Sequence, residues 1–222
     1  MKRAIIGVLA ALLLIAGSGI ASAEEKTEIE AGVKMWYNDW ESKTPVGTIT
    51  SDSTMLLGPA VGFKFPNHLF LDASFLFSTS DYKFSEAGEK WSRQDIDLIA
   101  GFMVTDAFGL LAGYKNSAFK EQETGDKETV YGPLIGAVVD APVDEVFSIY
   151  GNLDYLFTKF KLEGTGAFTE DSPGWIVEAG VKYAFTPEFL GSLGYKYEST
   201  KGKDSDVTDT FTGLTLGLFY SF

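Results

Sequence analysis

The sequence predicts an all-β fold, an antiparallel up-and-down transmembrane β-barrel with ten strands, or with eight as the alternative. At the C-terminus, Leu214, Leu216, Leu218, Tyr220 and Phe222 share one face, whereas the other face carries mostly glycine, serine and threonine. This period-two pattern is typical of a strand with one apolar side. Similar segments recur along the chain, and short and long connections alternate between them. Because no later apolar run is long enough for a transmembrane helix, a membrane would have to be crossed by strands.

The N-terminus predicts an export signal that is removed. Lys2 and Arg3 precede an apolar run over residues 4–15, and Ala21-Ser22-Ala23 fits the small-residue cleavage pattern. The apolar run is too short to span a membrane. We therefore expect a signal peptide over residues 1–23 and a single barrel domain over residues 24–222.

The first five predicted strands cover residues 28–38, 55–65, 68–78, 93–105 and 108–115. Each has large apolar residues at alternate positions, which predicts one apolar face. These outward series begin Ile29/Ala31/Val33, Leu57/Pro59/Val61, Leu69/Leu71/Ala73, Ile96/Leu98/Ala100 and Leu110/Ala112/Tyr114. Pro66-Asn67 and Asp106-Ala107 supply tight turns between neighbouring strands.

The last five predicted strands cover residues 129–140, 146–158, 175–185, 189–198 and 213–222. The sixth alternates least clearly because Leu134 and Val138 are apolar on its second face, and this weakness leaves the eight-strand alternative open. Pro59 and Pro133 lie inside predicted strands. Since proline cannot donate a ladder hydrogen bond, we expect a bulge or a local break near each.

The lengths of the connections predict the topology. Residues 66–67, 106–107, 141–145 and 186–188 make short connections, and residues 39–54, 79–92, 116–128, 159–174 and 199–208 make long, charged ones. An up-and-down barrel with all its short turns at one end has both termini at that end and an even number of strands.

The terminal strand resembles the closing strand of Gram-negative outer-membrane β-barrels, which typically end in phenylalanine after alternating apolar residues. The resemblance implies a small, porin-like barrel that is integral to the outer membrane, with its short turns in the periplasm. It also implies that Leu218, Tyr220 and Phe222 form a signal for the barrel-assembly machinery. Outer-membrane lipids and lipopolysaccharide are the other expected partners, and divalent cations could bridge acidic loop residues to lipopolysaccharide phosphates.

The composition excludes several classes of function. Loss of Lys2 and Arg3 with the signal changes the formal charge from −13 to −15, and such an acidic chain lacks the basic footprint that nucleic-acid binding needs. With no cysteine and one histidine, thiolate zinc sites, iron–sulfur clusters and covalent haem attachment are excluded. We expect no cofactor.

Two parts of the sequence resemble each other, which predicts an internal duplication. Gly58-Pro59-x-x-Gly62 recurs as Gly132-Pro133-x-x-Gly136, and Gly113-Tyr114-Lys115 recurs as Gly194-Tyr195-Lys196. The colinear matches would relate strands two to five to strands six to nine.

Charged residues on the faces opposite the apolar ones are the candidate lumen-lining residues: Glu30, Lys34, Lys64, Asp72, Asp95, Asp97, Lys115, Asp154, Glu178, Lys182 and Lys196. They could line a narrow channel for small polar solutes or ions. Alternatively, they could pair and plug the barrel, which would then act as a structural or surface-interaction protein through its loops. A barrel of about ten strands is close to the size that side chains fill, although many inward glycines leave room.

No catalytic residue is expected. The resemblance implies that an enzyme of this class would depend on a histidine at or near the outer rim or in the outer half of the barrel, whereas His68 follows the Pro66-Asn67 turn at the opposite rim. Asp95 and Asp97 share a face and could bind a cation or activate water, but pairing with the inward lysines is the simpler interpretation. A lipid- or peptide-hydrolysing barrel is the remaining enzymatic alternative.

Aromatic residues occur at two levels of the predicted strands. Residues near the outer ends, Trp36, Trp40, Trp91, Tyr131, Trp175 and Tyr197, predict one interfacial girdle, and Phe65, Phe108, Phe147, Phe185, Tyr220 and Phe222 predict the other. A sugar-binding platform of Trp40 and Trp91 is a weaker alternative.

Overall fold

The computed structural model describes residues 27–84, 88–164 and 166–222, so the predicted signal peptide lies outside the described residues. The described chain forms fourteen strands: β1 (Glu28–Thr44), β2 (Gly47–Thr50), β3 (Thr54–Lys64), β4 (Leu69–Ser78), β5 (Tyr82–Phe84), β6 (Glu89–Met103), β7 (Phe108–Glu121), β8 (Lys127–Pro142), β9 (Phe147–Leu156), β10 (Lys159–Glu163), β11 (Phe168–Asp171), β12 (Gly174–Ala184), β13 (Phe189–Lys201) and β14 (Thr208–Ser221). Over these ranges, no helix is long and apolar enough to span a membrane.

Ten of these strands form a closed antiparallel ring in the order β1-β3-β4-β6-β7-β8-β9-β12-β13-β14. β14 closes the ring by pairing with β1 from Glu30↔Ser221 to Lys43↔Thr208. Each predicted strand corresponds to one strand of the ring, so the ten-stranded barrel is confirmed and the eight-stranded alternative is wrong. Closure leaves no sheet edge within the ring, which lets every strand find hydrogen-bond partners on both sides.

The remaining four strands extend the wall at the end with the long connections, which we call the outer end. β2 pairs with β1, β5 pairs with β6, and β10 pairs with both β8 and β11. These four strands, which we call the collar strands, form a raised collar around the outer mouth. The sequence pattern did not predict this collar.

Each of the two strand prolines interrupts one ladder. Between β3 and β4 the pairing stops after Leu57↔Phe77 and resumes at Ala60↔Ser74 in the same register, so Pro59 causes a local break and not a bulge. β8 pairs with β10 as far as Tyr131↔Lys159 and with β9 from Leu134↔Leu156. The break at Gly132-Pro133 thus separates the part of β8 that pairs with β10 from the part that pairs with β9.

The barrel wall separates an apolar outer surface from a polar and aromatic interior. Outward residues such as Val33, Leu110 and Leu153 are about half exposed, as expected for side chains that face lipid in an outer-membrane barrel. Inside, Leu134 and Val138 of β8 pack with Leu111, Leu156 and Ile176 against one side of the lumen. This apolar interior wall explains why the sixth predicted strand alternated poorly.

Close approach of the backbones at the closing seam requires glycine at position 213. A Cβ on Gly213 would overlap the carbonyl oxygen of Tyr37 and lie 2.6 Å from the Cα of Asn38, both in β1. We predict that Gly213→Ala destabilises the barrel by about 1–3 kcal/mol, because the seam must separate to fit the methyl group. Urea unfolding of the barrel refolded in detergent would measure the change.

Gly47→Ala is the matched control, since a Cβ at Gly47 meets nothing within 4 Å. Equal unfolding midpoints for the two variants would contradict a steric role for Gly213.

Candidate functional site: the barrel interior and its outer mouth

An aromatic cluster fills the outer half of the interior. Trp40 lies at its centre, and its ring centroid is 4.9, 5.1, 5.2, 5.8 and 6.0 Å from those of Phe84, Phe119, Phe211, Tyr82 and Trp91, respectively. The indole Nε1 of Trp40 donates a 2.9 Å hydrogen bond to Asp209. Contributions from β1, β5, β6, β7 and β14 therefore meet at one point on the barrel axis and exclude water from it.

The structure corrects the predicted outer girdle. Trp36, Trp40 and Trp91 are 1%, 5% and 8% exposed inside the barrel, whereas Trp175 and Tyr197 are 49% and 40% exposed on its outer surface. The reason is the strand period of two: Trp36 and Trp40 share the inward face of β1 with Lys34. The girdle was predicted because these tryptophans lie near the outer ends of the strands. The alternation of side chains, however, already places them on inward faces.

A network of six charges lies on the inner side of the aromatic cluster. Arg93 makes a two-pronged contact with Asp95, with Nε–Oδ1 and Nη2–Oδ2 distances of 2.8 Å, and its Nη2 lies 2.8 Å from Glu198. The Nζ atom of Lys115 lies 3.1 Å from Glu198 Oε2 and 3.2 Å from Asp97 Oδ1. Lys196 Nζ completes the network, 3.3 Å from Glu198 Oε2. Three cations thus balance three carboxylates.

Aromatic faces hold the cations in place. The guanidinium carbon of Arg93 lies 4.0 Å from the ring centroid of Phe211 and 5.0 Å from that of Trp36. Lys196 Nζ lies 4.2 Å from the ring centroid of Trp36 on the same side of the network. Cation–π contacts of this kind are stronger when the cation is removed from water, and Arg93 and Lys115 are completely buried. The charges and rings form a single plug, which we define as Arg93, Asp95, Asp97, Lys115, Lys196, Glu198 and the aromatic cluster.

Two charged residues of the plug, Arg93 and Glu198, were absent from the lumen-lining candidates that the sequence predicted. Arg93 begins the fourth predicted strand and Glu198 ends the ninth. The signal was nevertheless present, because Arg93 lies two residues before Asp95 and Glu198 two residues after Lys196, which places each on an inward face.

The interior between the plug and the short-turn end is a vestibule with both charged and apolar walls. Its cavity has a volume of about 230 Å³ and contains the candidates Glu30, Lys34, Asp72, Asp154, Glu178 and Lys182. Tyr150 donates a 3.1 Å hydrogen bond to Glu178, and Lys182 pairs with Asp140 at 2.6 Å. Of the other candidates, Asp95, Asp97, Lys115 and Lys196 belong to the plug, and Lys64 pairs with Glu30 at 2.7 Å near the short-turn rim.

The residues considered for catalysis do not come together. Asp95 and Asp97 both contact Lys115, at 3.7 and 3.2 Å, an arrangement that neutralises them by ion pairing. His68 lies in the exposed turn between β3 and β4, and its ring packs 6.1 Å from that of Phe102. Among the described residues, no group of three or more acidic or histidine side chains is arranged to hold a metal ion.

An open pocket of about 230 Å³ lies above the plug, between the collar strands. Its aromatic walls are Trp40, Phe84, Trp91, Phe160 and Phe168, and its carboxylates are Glu89, Glu128, Glu170 and Asp209. We call this cavity the mouth pocket. It unites the outer ends of β1, β6, β8 and β14 with the hairpin of β10 and β11, so segments far apart in sequence build it jointly.

Glu170 ties the β10–β11 hairpin to the connection that follows β13. It accepts hydrogen bonds from the backbone N–H groups of Asp204 (2.6 Å) and Ser205 (3.0 Å) and from the hydroxyl of Ser205 (2.5 Å). Burial opposes ionisation of Glu170, but these hydrogen bonds outweigh it and lower its pKa below the usual 4.5.

A closed ten-stranded barrel with an apolar exterior and a polar interior defines an integral outer-membrane β-barrel protein. The sequence model of the outer membrane protein beta-barrel domain matches residues 8–222, and the chain belongs to this family. It is accordingly an integral protein of the outer membrane of a Gram-negative bacterium.

Solved structures with similar folds include the outer membrane protease OmpT from Escherichia coli, at 12% identity and a TM-score of 0.62, covering 90% of this chain and 99% of that one. The attachment invasion locus protein Ail of Yersinia pestis matches at 15% identity and a TM-score of 0.42, covering 87% and 98%. Neisserial surface protein A matches at 16% identity and a TM-score of 0.37, covering 89% and 100%. At such identity the likeness to OmpT shows the fold alone. No curated protein matches the chain.

We predict that Arg93→Met destabilises the barrel by about 3–5 kcal/mol, because Asp95 and Glu198 then keep buried negative charge without their main partner. Urea unfolding in detergent would measure the loss. Lys203→Met is the control, since it removes one partner of an exposed pair with Asp171 and should cost less than about 1 kcal/mol. A loss no larger for Arg93→Met than for Lys203→Met would refute the structural role of the buried network.

We also predict a local pH effect at Glu170. Because its pKa is lowered in the folded state, the stabilisation is complete above about pH 4.5 and is lost as the pH falls through the lower folded value. Amide exchange protection at Asp204 and Ser205, corrected for the intrinsic rate, should therefore decrease in acid. Glu170→Gln should show weaker protection at neutral pH and no such transition, and an unchanged transition in this variant would assign it to another group.

Proposed function

We propose that the barrel is closed to solutes and serves as a surface-interaction protein through its outer end. The observation that supports this proposal is the plug, in which Arg93 and Lys115 are completely buried between balanced carboxylates and aromatic rings. Opening a path through it would separate several ion pairs in a poorly solvated interior, at a large electrostatic cost. The interior above the vestibule therefore lacks the continuous polar lining that a solute would follow.

The outer end offers the larger interaction surface. The five long connections contain fifteen Asp and Glu and nine Lys, a net charge of −6, and three of these connections contain the collar strands β2, β5, β10 and β11. An acidic rim of this kind attracts cationic partners electrostatically. Lipopolysaccharide, with divalent cations bridging its phosphates to the rim, is a further proposed contact. Catalysis is not part of the proposal.

For assembly, we propose recognition of β14 by the barrel-assembly machinery. Tyr220 and Phe222 are 48% and 75% exposed on the outward face, and Leu218 is 47% exposed on the same face. The backbone edge of β14 that pairs with β1 is free until the ring closes, so edge and apolar face could be recognised together.

A narrow channel is the second candidate, because the vestibule reaches halfway through the barrel and carries both signs of charge. The two candidates differ in the conductance of the unmodified protein.

We predict that the purified mature barrel shows no steady current steps in a planar lipid bilayer. The double variant Arg93→Ala/Asp95→Ala removes one cation and one carboxylate, so it keeps the charge balanced while it opens space in the plug. This variant should show salt-dependent steps, because water can then fill the gap between the vestibule and the mouth pocket.

The matched control is Glu30→Ala/Lys64→Ala, which removes an equivalent pair from the short-turn rim and should stay silent. Heat-modifiable migration on gels would verify folding of each protein. Steady steps from the unmodified, folded barrel would overturn the closed-lumen proposal in favour of the narrow channel.

A further inference from the structure

The mouth pocket brings aromatic rings and carboxylates together in one cavity. Its floor is aromatic, with the rings of Trp40 and Trp91 6.0 Å apart and that of Phe84 4.9 Å from Trp40. Its opposite wall is the pair Phe160 and Phe168, whose ring centroids are 5.5 Å apart. Aromatic faces around a cavity attract a cation through their quadrupoles, particularly an alkylated one with little hydration to lose.

Most carboxylates at this pocket already have protein partners. Asp209 accepts a hydrogen bond from Trp40 at 2.9 Å, Glu89 accepts one from Trp91 at 3.0 Å, and Glu170 is bonded to the connection after β13. Glu128 differs, because no hydrogen bond or ion pair to its side chain occurs within the described parts of the chain. It lies on the inward face of β8, half-buried at the wall of the pocket.

The charged groups that act on Glu128 are acidic. Glu89 of β6 and Asp209 of β14 face it across the pocket, Asp126 precedes it along the chain, and Glu170 of β11 lines the same cavity. Glu128 lies three residues beyond the outward Tyr131, outside the membrane-spanning length of β8. Burial and these negative neighbours raise the pKa of Glu128 to about 8. A bound cation would relieve the repulsion that the protein itself leaves uncompensated.

We infer that the mouth pocket binds an organic ammonium group, with Glu128 as the counter-ion and Trp40, Trp91 and Phe168 as the aromatic walls. This inference rests on the proposed surface-interaction function and names the class of ligand. The cavity volume of about 230 Å³ is below the roughly 300–1,000 Å³ typical for drug-sized ligands. It therefore suits a single small cation, supplied either by a free methylated amine or by a lysine side chain of a peptide.

The charge of the protein favours delivery of such a ligand. The acidic rim concentrates cations near the mouth, and the apolar walls select those whose ammonium group carries carbon substituents. Below the pocket, the plug holds Arg93, Lys115 and Lys196 in its ion pairs. Because these ion pairs and the aromatic cluster above them fill the interior, the ligand should stop in the mouth pocket and not enter the lumen.

Binding should be coupled to loss of a proton. A carboxylate attracts the ammonium group and a neutral carboxyl does not, so the ligand binds the ionised form of Glu128. Because the pKa of free Glu128 is raised to about 8, affinity should increase roughly tenfold between about pH 7 and about pH 9, with up to one proton released per ligand at the lower pH.

The experiment is calorimetric titration of the full mature barrel, folded in detergent. The first probe is choline, compared with its uncharged isostere 3,3-dimethylbutan-1-ol. The second is Nα-acetyl-lysine amide, whose side chain keeps its ammonium group, compared with Nα-acetyl-norleucine amide. We expect at least one cation to bind, and its neutral counterpart to bind at least roughly tenfold more weakly. Preference for choline identifies a free methylated amine as the source, and preference for the lysine derivative identifies a peptide side chain.

The variants separate the site from the rest of the acidic rim. Glu128→Gln should weaken cation binding at least roughly tenfold and abolish its dependence on pH, and Phe168→Leu should weaken it without altering that dependence. Glu123→Gln, an exposed acid of the same connection that does not line the pocket, should leave binding unchanged. All three substitutions are at the outer end, where they leave the barrel wall intact.

Three outcomes would overturn the inference: neither cation binds, the neutral analogues bind equally well, or Glu123→Gln and Glu128→Gln have equal effects. These outcomes leave the closed-lumen proposal standing, because it is tested by conductance. Conversely, a conducting barrel that still binds an ammonium group through Glu128 would reject the closed lumen and retain the site.

Discussion

The requirement that every backbone hydrogen bond be made within the protein governs this molecule, because a lipid bilayer offers no water to replace a missing partner. Pairing of β14 with β1 meets that requirement by closing the ring. Closure has a second consequence, since alternate side chains of each strand must then point into a space enclosed by the wall. The interior of a ten-stranded barrel is too wide to be filled by small residues and too narrow to resemble the pore of a large porin.

The chain fills that interior unevenly. In the outer half, the cations of Arg93 and Lys115 lie between carboxylates and aromatic rings, so charge and apolar surface are buried together. A buried ion pair is stable only when its remaining hydrogen-bonding groups are satisfied and its geometry is good. The two-pronged Arg93–Asp95 contact and the shared Glu198 meet much of this need. The inner half keeps the vestibule as open space, and its lining includes small residues such as Gly62, Ser74 and Ser192.

The plug divides the barrel into two compartments with different chemistry. The vestibule has both signs of charge and opens toward the short turns, whereas the mouth pocket has aromatic walls and only negative charge among its ionisable groups. Collar strands raise the mouth pocket above the girdle and place its walls on ordered backbone. The aromatic cluster is the outer part of the plug and also forms the floor of the mouth pocket. The packing of the interior therefore also shapes the surface that a ligand would contact.

The sequence by itself determined the ten strands, the alternation of short and long connections and the side of the wall on which nearly every residue lies, because these depend on the local period of two. It did not reveal the collar, which requires pairing between separate connections, or the plug, in which Trp40, Arg93, Lys115, Glu198 and Phe211 meet across the lumen. Residues on an inward face can have many partners across a barrel. Only the strand register and the tilt of the closed ring decide which of them meet, and neither is encoded within a single strand.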